Sequence, residues 1–500
     1  MNAQVKIFYT SINIDENGII EFDMDKTEIT ENIKLDAMFM SMKEREHGTF
    51  YLDYGSVMEM NEIKQRLYTI TLQLGSPGQR FKVLVDTGSF LLWVPSTECM
   101  SCMYNDNKFN VGLSISSEKT KERMELRYIS GSISGIITHD KLALSDNLSL
   151  NNFKFLVCDR VNAPVKVDGI LGLARKYERY DSSFSMIESL YKSGAIKRKI
   201  FSQKLSALKF YVGNLPKEIA EDQLNFTKCN IITNVYAVRS FWACNLKQVL
   251  ISDPEIESAY IENSNNNFSN KLIKRRMLQL TSQMKPAIFD TGSNVIIAPL
   301  NLFEKFKTHY FKKEIQNKSC RAIEDYKSDK SFICNFNVNF EKMPKLSFVF
   351  DNDYIYELNT KDLFVNKSSS ESENVFKIVF SEVPGSGWLL GQPFLKQFHM
   401  VFDYDDDSIG FYPNKDELQS SIVTNIIDYD VNSISYEPIG WKIFIIYYVI
   451  IFYSLGLIMA FSAFIYLKFI KSKKQTLIED NRNSNLLLLN DKEKAYKNIL

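Results

Sequence analysis

Two tetrapeptides, Asp86-Thr87-Gly88-Ser89 and Asp290-Thr291-Gly292-Ser293, each close a run of apolar residues. The first follows Val83-Leu84-Val85 and the second Ala287-Ile288-Phe289. A buried strand that ends in a carboxylate is costly unless the charge is compensated. Two such strands in one chain predict two halves that bring their carboxylates together. Carboxylates in contact cannot both ionise easily, so they share a proton. One is then a base that activates water, and the other is an acid toward a carbonyl oxygen or leaving group.

The elements around these residues repeat as well. Asp86 and Asp290 lie 204 residues apart, room for one lobe between them. Each is followed by an apolar run ending in glycine: Asp168-Gly169-Ile170-Leu171-Gly172-Leu173 in the first half, Trp388-Leu389-Leu390-Gly391-Gln392-Pro393-Phe394 in the second. A glycine beside a bulky apolar pair in a strand predicts close backbone approach. The shared order of motifs predicts an internal duplication.

Further motifs stand in sequence around the two aspartates. Leu67 to Gln79 runs into a Gly/Pro-rich stretch, Leu92-Trp93-Val94-Pro95-Ser96 follows the first motif, and Tyr128-Ile129-Ser130-Gly131-Ser132 comes next. Val401-Phe402-Asp403-Tyr404 and Ile409-Gly410-Phe411 follow the second. Together, in this order, they resemble the pepsin-type (A1) aspartic proteases from about Leu67 to Pro413. The resemblance implies an all-β, bilobal fold with one active site between the lobes. It implies Asp86 and Asp290 as the catalytic pair, holding one water, with no acyl-enzyme, metal or cofactor. Thr87 and Thr291 would cross-brace the two loops, Gly88 and Gly292 would let main-chain N–H groups approach the carboxylates, and Ser89 and Ser293 would form the next hydrogen-bonding layer. Tyr128, Gly131 and Ser132 would form the flap over bound peptide, with Trp93 as partner of the Tyr128 phenol. Tyr128 also reads as an ordinary strand aromatic, and Trp93 as a plain core residue. Phe90, Leu91 and Ile129 depart from the family pattern. A β-branched Ile129 would stiffen the flap tip, so no subsite preference is carried over.

Composition narrows the alternatives. The 500-residue chain carries 60 basic and 60 acidic residues, which argues against a nucleic-acid partner recruited by bulk charge. Its four histidines are scattered without metal-binding spacing. Seven cysteines remain to be placed. Cys99 and Cys102 fall where pepsins carry a small disulfide loop, although their spacing is also that of metal or redox pairs. Cys320 and Cys334 fall where the family's second-lobe disulfide lies. Cys229 and Cys244 are candidates for a pair across neighbouring strands, which would leave Cys158 free.

The C-terminal region carries a separate signal. Ile443 to Leu467 is 25 residues without a charge. As a helix it would span roughly 37 Å, against a bilayer core of about 30 Å. Lys468, Lys471, Lys473 and Lys474 come next, which predicts a cytoplasmic tail and a lumenal or extracellular protease. Five sequons (Asn147, Asn225, Asn267, Asn317, Asn366) lie on that lumenal side. Residues 1–20 hold no apolar core of signal-peptide length. A missing or atypical targeting signal is favoured over a cytosolic tail-anchored enzyme, because three candidate disulfides fit poorly in a reducing compartment. Tyr496-Lys497-Asn498-Ile499 resembles an endosomal sorting signal.

The expected organisation is a polar leader over 1–50, an N-terminal lobe over 51–205 and a C-terminal lobe over 206–413. A stalk occupies 414–440, then a transmembrane helix 441–467 and a cytoplasmic tail 468–500. The leader reads either as a propeptide, with Lys43 as a plug for the acidic cleft, or as a tail without fixed structure. Ser182 to Ser193 reads as a helix, from apolar Phe184, Ile187, Leu190 and Tyr191. Residues 252–285, with an Asn-rich run and Lys274-Arg275-Arg276, read as an exposed inserted loop, the basic triplet being either a processing site or plain solvated charge. The expected protein is a monomeric, membrane-anchored endopeptidase acting on polypeptides at acidic pH. The alternatives are a catalytically quiet binding protein on the same fold, which would require a lost residue in one motif, and a structural or adhesion ectodomain in which glycosylation and the anchor matter more than catalysis.

Overall fold

A computed structural model describes residues 12–14, 19–31, 40–41, 63–102, 107–128, 131–145, 147–162, 167–175, 182–252, 275–281, 283–324, 329–366, 373–381, 387–414, 423–425, 429–433, 461–476, 478 and 480–482. The chain divides into one compact unit over residues 1–433 and a second over 434–500.

The first unit is mostly β. Strand Gln79–Asp86 shows how sequence becomes position: its first residues alternate in burial, and its last four are all buried. The change is due to its neighbours. It pairs antiparallel with Ile63–Leu74 on one side and parallel with Gly169–Gly172 on the other, so Val83, Leu84 and Val85 lie inside the sheet. A strand covered on both faces needs a continuous apolar run rather than alternation. Strand Lys285–Phe289 has the same surroundings in the second half. It pairs antiparallel with Ala243–Ser252 and parallel with Trp388–Leu390.

The duplicated apolar-glycine runs are therefore the parallel partners of the two aspartate-bearing strands. Gly172 lies opposite Asp86 itself, and Leu390 lies opposite Phe289. The strands after each motif, Leu92–Pro95 and Ile296–Pro299, return antiparallel against the same apolar runs. A Cβ on Gly172 would stand 2.4 Å from the Leu91 nitrogen, and one on Gly391 2.1 Å from the Val295 carbonyl oxygen. The close approach expected at these glycines is thus present in both halves.

Among the described residues three sheets result. A nine-stranded sheet carries Asp86 and a fourteen-stranded sheet carries the Asp290 strand. A seven-stranded sheet runs in the order Ile12–Ile14, Ile20–Asp23, Lys209–Val212, Ile200–Lys204, Phe398–Asp403, Ser408–Pro413, Thr227–Asn230, and so draws on both halves. Phe201 and Phe402 stack on one of its faces, with ring centroids 4.8 Å apart.

Several segments differ from the sequence expectation. Within the polar leader, Ile20–Asp23 pairs with Lys209–Val212 and Asp25–Glu31 pairs with Ile63–Thr69. Ile20, Phe22 and Met24 are buried, and Lys209 Nζ reaches Asp23 at 2.6 Å and Glu21 at 2.5 Å. These residues are built into the sheets, and their period-two apolar pattern is the reason. Lys43 lies outside the described residues. Within the expected inserted loop, Arg275–Thr281 is a strand, paired with Ala243–Ser252 and with Tyr429–Ser433. Within the expected stalk, Val423–Asn425 and Tyr429–Ser433 are strands of the fourteen-stranded sheet. The helix expected over 182–193 is a short 3-10 turn and then Met186–Lys192, capped by the Ser185 side chain.

All three expected cysteine pairs are disulfides: Cys99–Cys102, Cys229–Cys244 and Cys320–Cys334. Cys158 is free and buried. In the second unit, residues 461–476 are helical and exposed. Among the described residues no helix is long and apolar enough to cross a membrane. Most of the expected span, residues 441–460, lies outside them.

Candidate active site

Asp86 is the last residue of its strand, and Asp290 comes directly after Phe289. Both are fully buried. Their mutual position is set by two turns that reach across to each other. A Cβ on Gly88 would stand 2.7 Å from Asp290 Oδ1, and one on Gly292 would stand 2.5 Å from Asp86 Oδ1. Each carboxyl therefore lies against the backbone of the opposite turn, in a space that only glycine leaves open.

The threonines cross-brace the turns as expected. Thr87 Oγ1 donates to the Phe289 carbonyl at 2.8 Å and accepts from the Thr291 N–H at 3.0 Å. Thr291 Oγ1 donates to the Val85 carbonyl at 2.8 Å and accepts from the Thr87 N–H at 3.0 Å. Four buried hydrogen bonds, related by a near twofold symmetry, tie the two strand ends together. A buried hydroxyl whose donor and acceptor are both satisfied holds position firmly.

The hydrogen bonds to the carboxyls break that symmetry. Asp86 Oδ1 accepts from the Gly88 N–H at 2.8 Å, and Asp86 Oδ2 accepts a short bond from the Ser89 hydroxyl. Asp290 Oδ1 accepts from the Gly292 N–H at 2.9 Å. The Ser293 hydroxyl instead donates to the Val295 carbonyl at 2.9 Å. No N–H or O–H among the described residues reaches Asp290 Oδ2.

These contacts set the electrostatics. Burial pushes the Asp86 carboxyl up from its ordinary value, opposed by the Ser89 hydroxyl and then by the Gly88 N–H. Burial pushes Asp290 well up, and the neighbouring Asp86 charge pushes it further. A pair so arranged holds one proton and one charge. The proton belongs on Asp290, whose free Oδ2 lacks a donor, and the charge on Asp86, which has two donors.

The remaining expected residues lie around this pair. Trp93 is buried in strand Leu92–Pro95, among core residues that include Leu126, Ile133 and Leu156. Its Nε1 finds no hydrogen-bond partner among the described residues. Strands Glu118–Tyr128 and Gly131–Ser145 form a hairpin in which Tyr128 pairs with Gly131 and Arg127 with Ser132. Met40–Ser41 adds to the outer edge of that hairpin, Met40 opposite Tyr128. Residues 129–130 at the tip lie outside the described residues.

Two residues that sequence reasoning does not single out also touch the site's framework. Leu173 donates its N–H to the Asp86 carbonyl at 2.7 Å, and its own carbonyl accepts from Trp242 Nε1 at 2.7 Å. Leu173 is visible in the sequence only as the end of an apolar-glycine run, and Trp242 carries no motif.

Residues 67–414 match the family described as eukaryotic aspartyl protease. The chain belongs to that family. It is 25% identical to pepsin B of Canis lupus familiaris over 346 residues, covering 68% of this chain and 79% of that protein. It is 23% identical to pepsin A of Bos taurus, covering 69% and 84%. It is 25% identical to plasmepsin I of Plasmodium falciparum (isolate 3D7), covering 73% and 72%. The protein is an aspartic endopeptidase with a pepsin-like, mostly β fold, and its substrates are polypeptides.

Proposed function

We propose that this aspartic endopeptidase works through Asp86 and Asp290 at acidic pH, in a lumenal or extracellular compartment, held to the membrane by its C-terminal helix. The observation that carries the catalytic reading is the pair of buried carboxyls set side by side by the Thr87–Thr291 cross-brace, one with two donors and one with a free oxygen.

The chemistry balances over one cycle. A water between the carboxyls gives a proton to the Asp86 carboxylate as its oxygen attacks the scissile carbonyl carbon. The Asp290 acid donates its proton to the carbonyl oxygen, giving a neutral gem-diol. Asp86 then passes its proton to the leaving nitrogen as the C–N bond breaks, and Asp290 recovers a proton from a gem-diol hydroxyl. The starting protonation state returns. Ser89 and Gly88 stabilise the Asp86 charge, while Thr87, Thr291, Gly292 and Ser293 hold the turns. Tyr128, Gly131 and Ser132 form the flap over the substrate, with Trp93 beneath it.

Residues 51–205 and 206–413 are read as the two lobes, and the enzyme as a monomer. The pairing of Met40–Ser41 with the flap strand supports a propeptide that lies along the cleft before removal. For the anchor, the support is the charge-free run Ile443–Leu467 and the exposed apolar side chains of Phe461, Phe464, Ile465 and Leu467, with Lys468, Lys471, Lys473 and Lys474 after them.

Hydrolysis of casein by the full-length chain from pH 3 to 7, beside Asp290→Asn, tests the catalytic reading. Acid-dependent cleavage abolished by the substitution is expected. Cleavage that survives it refutes the assignment. Carbonate extraction of membranes from expressing cells tests the anchor, and release of the full chain into the soluble fraction refutes it.

A further inference from the structure

We propose that Trp242 is a positioning residue for the two aspartates, linking the Asp86 strand to the Asp290 strand through one side-chain and two main-chain hydrogen bonds. The inference rests on the reading of Asp86 and Asp290 as the working pair.

Trp242 immediately precedes strand Ala243–Ser252 and is fully buried. Its indole has one donor, Nε1–H, and that donor is spent on the Leu173 carbonyl at 2.7 Å. Leu173 in turn donates its N–H to the Asp86 carbonyl at 2.7 Å. On the other side, the Trp242 carbonyl accepts the Phe289 N–H at 2.8 Å, one residue before Asp290. A continuous path therefore runs Asp86, Leu173, Trp242, Phe289, Asp290, without using either threonine.

The indole is held in place. Tyr404 lies edge-on to it at 4.7 Å between ring centroids, and Phe402 at 5.2 Å. Phe402 belongs to the strand Phe398–Asp403 of the seven-stranded sheet, and Tyr404 comes directly after it. Tyr404 Oη shares its one proton between the Ala174 carbonyl at 3.1 Å and the Leu173 carbonyl at 3.2 Å. With the ring fixed, a shift of the Leu173 carbonyl is resisted, and with it a shift of the Asp86 main chain. The cross-brace fixes how far apart the turns stand. The Trp242 link fixes how the two strands behind them are seated. Displacements of about 1 Å at a reacting group cost on the order of a hundredfold in rate, so a second tether has something to protect.

The path makes a specific demand on chemistry. Trp242→Phe keeps an aromatic ring in the box and deletes only the donor. Measured on the full-length chain, kcat is expected to fall about tenfold, the rate equivalent of one hydrogen bond's worth of barrier, while KM stays within about twofold. The titration of the Asp86 and Asp290 carboxyls, read by 13C NMR of aspartate-labelled protein, is expected to move as well. Asp86 carries the charge that Asp290 faces, and the two carboxyls lie in contact, so a change in their separation registers in both. Phe332→Leu, in an aromatic cluster of the second half stacked on Phe311 at 4.1 Å, serves as a control for lost stability. It is expected to lower the melting temperature without altering kcat or the titration. Should Trp242→Phe fail to fold, Tyr404→Phe asks the same question more gently, with kcat expected to fall about twofold to threefold at constant KM, on the same rate scale.

Wild-type kcat and an unmoved carboxyl titration in a folded Trp242→Phe overturn the proposal, as does a kcat loss matched by Phe332→Leu. An inactive wild type is a failure of the catalytic reading instead, and the carboxyl titration still decides whether Trp242 positions the pair.

Discussion

Asp86 and Asp290 end strands built to one plan, yet the identical tetrapeptides they begin give the two carboxyls different surroundings. In both halves an apolar-glycine run lies parallel to the aspartate strand, and a threonine from each turn braces the other. Among the hydrogen bonds to the two carboxyls, the difference is one hydroxyl. Ser89 turns to its aspartate, while Ser293 turns to the carbonyl of Val295. The repeated motifs supply two similar frames, and in the proposed mechanism a single side-chain choice inside one of them separates base from acid. Opposite roles would then need little change, because the costly feature, two buried carboxyls in contact, is common to both halves.

The largest effect comes from removing what both halves share. Asp86→Asn and Asp290→Asn are each expected to lower kcat by at least about ten-thousandfold, the scale at which members of an interdependent catalytic set fail. Steady-state hydrolysis of a peptide substrate measures it. A much milder loss at one position would show that the halves are unequal in the chemistry itself, not only in protonation.

The cross-brace comes next. Thr87→Ala removes one hydroxyl that donates to Phe289 and accepts from Thr291, leaving a buried carbonyl and a buried N–H without partners. Each such group costs about 1–3 kcal/mol, so denaturant unfolding is expected to show a destabilisation of about 2 kcal/mol or more. A loss in kcat of about a hundredfold should accompany it. Thr291→Ala is expected to match it closely, because the bonds are related by the same symmetry. Unequal losses would break the equivalence of the two frames.

How much of this is legible in the sequence depends on how local the cause is. The aspartate motifs, the glycine runs and the helix at Met186–Lys192 are readable because each is fixed by residues within one short stretch. The disulfide Cys229–Cys244 is readable only as a candidate. Strand Ile20–Asp23 escapes notice although its apolar residues alternate, because Glu21 and Asp23 make the segment look polar. Their charges are met by Lys209, which lies 186 residues or more away in the chain. Arg275–Thr281 and Tyr429–Ser433 are hidden for a related reason, since they pair with each other and Arg275–Thr281 pairs in turn with the distant Ala243–Ser252. Trp242 gives no signal because its partners, Leu173 and Phe289, are distant in the chain and carry no mark of the contact. The divergence of Ser89 from Ser293 is invisible in the tetrapeptides, which are identical. The flanking residues differ on both sides, Val83-Leu84-Val85 against Ala287-Ile288-Phe289 before the motif and Phe90-Leu91 against Asn294-Val295 after it, and in the second half Ser293 takes the Val295 carbonyl as its acceptor.

The pair also sets a direction for stability. Both carboxyls lie above the ordinary aspartate value of 3.8, chiefly because burial disfavours the charge. Below that value the folded and unfolded chains are equally protonated, and this contribution to stability is fully present. As pH rises through the folded-state values, the unfolded chain has already released protons that the folded chain still holds, and the contribution is lost. The melting temperature is therefore expected to fall as pH rises from the ordinary aspartate value toward neutrality, with Asp290→Asn and Asp86→Asn each flattening the decline. A decline left unchanged by both variants would show that the pair does not set this pH dependence.

The smallest expected effect addresses the asymmetry most directly. Ser89→Ala deletes the hydroxyl that favours the charged form of Asp86, so the Asp86 carboxyl should rise further. The acidic limb of the kcat/KM profile should move to higher pH. Ser293→Ala deletes a hydroxyl bonded to the Val295 carbonyl and to no carboxyl oxygen, so the acidic limb should stay where it is while stability drops slightly. If the two variants move the limb equally, Ser293 reaches Asp290 in the working enzyme and the separation of roles must come from substrate rather than from the resting site. If only Ser89→Ala moves it, one hydroxyl suffices to tell two identical motifs apart.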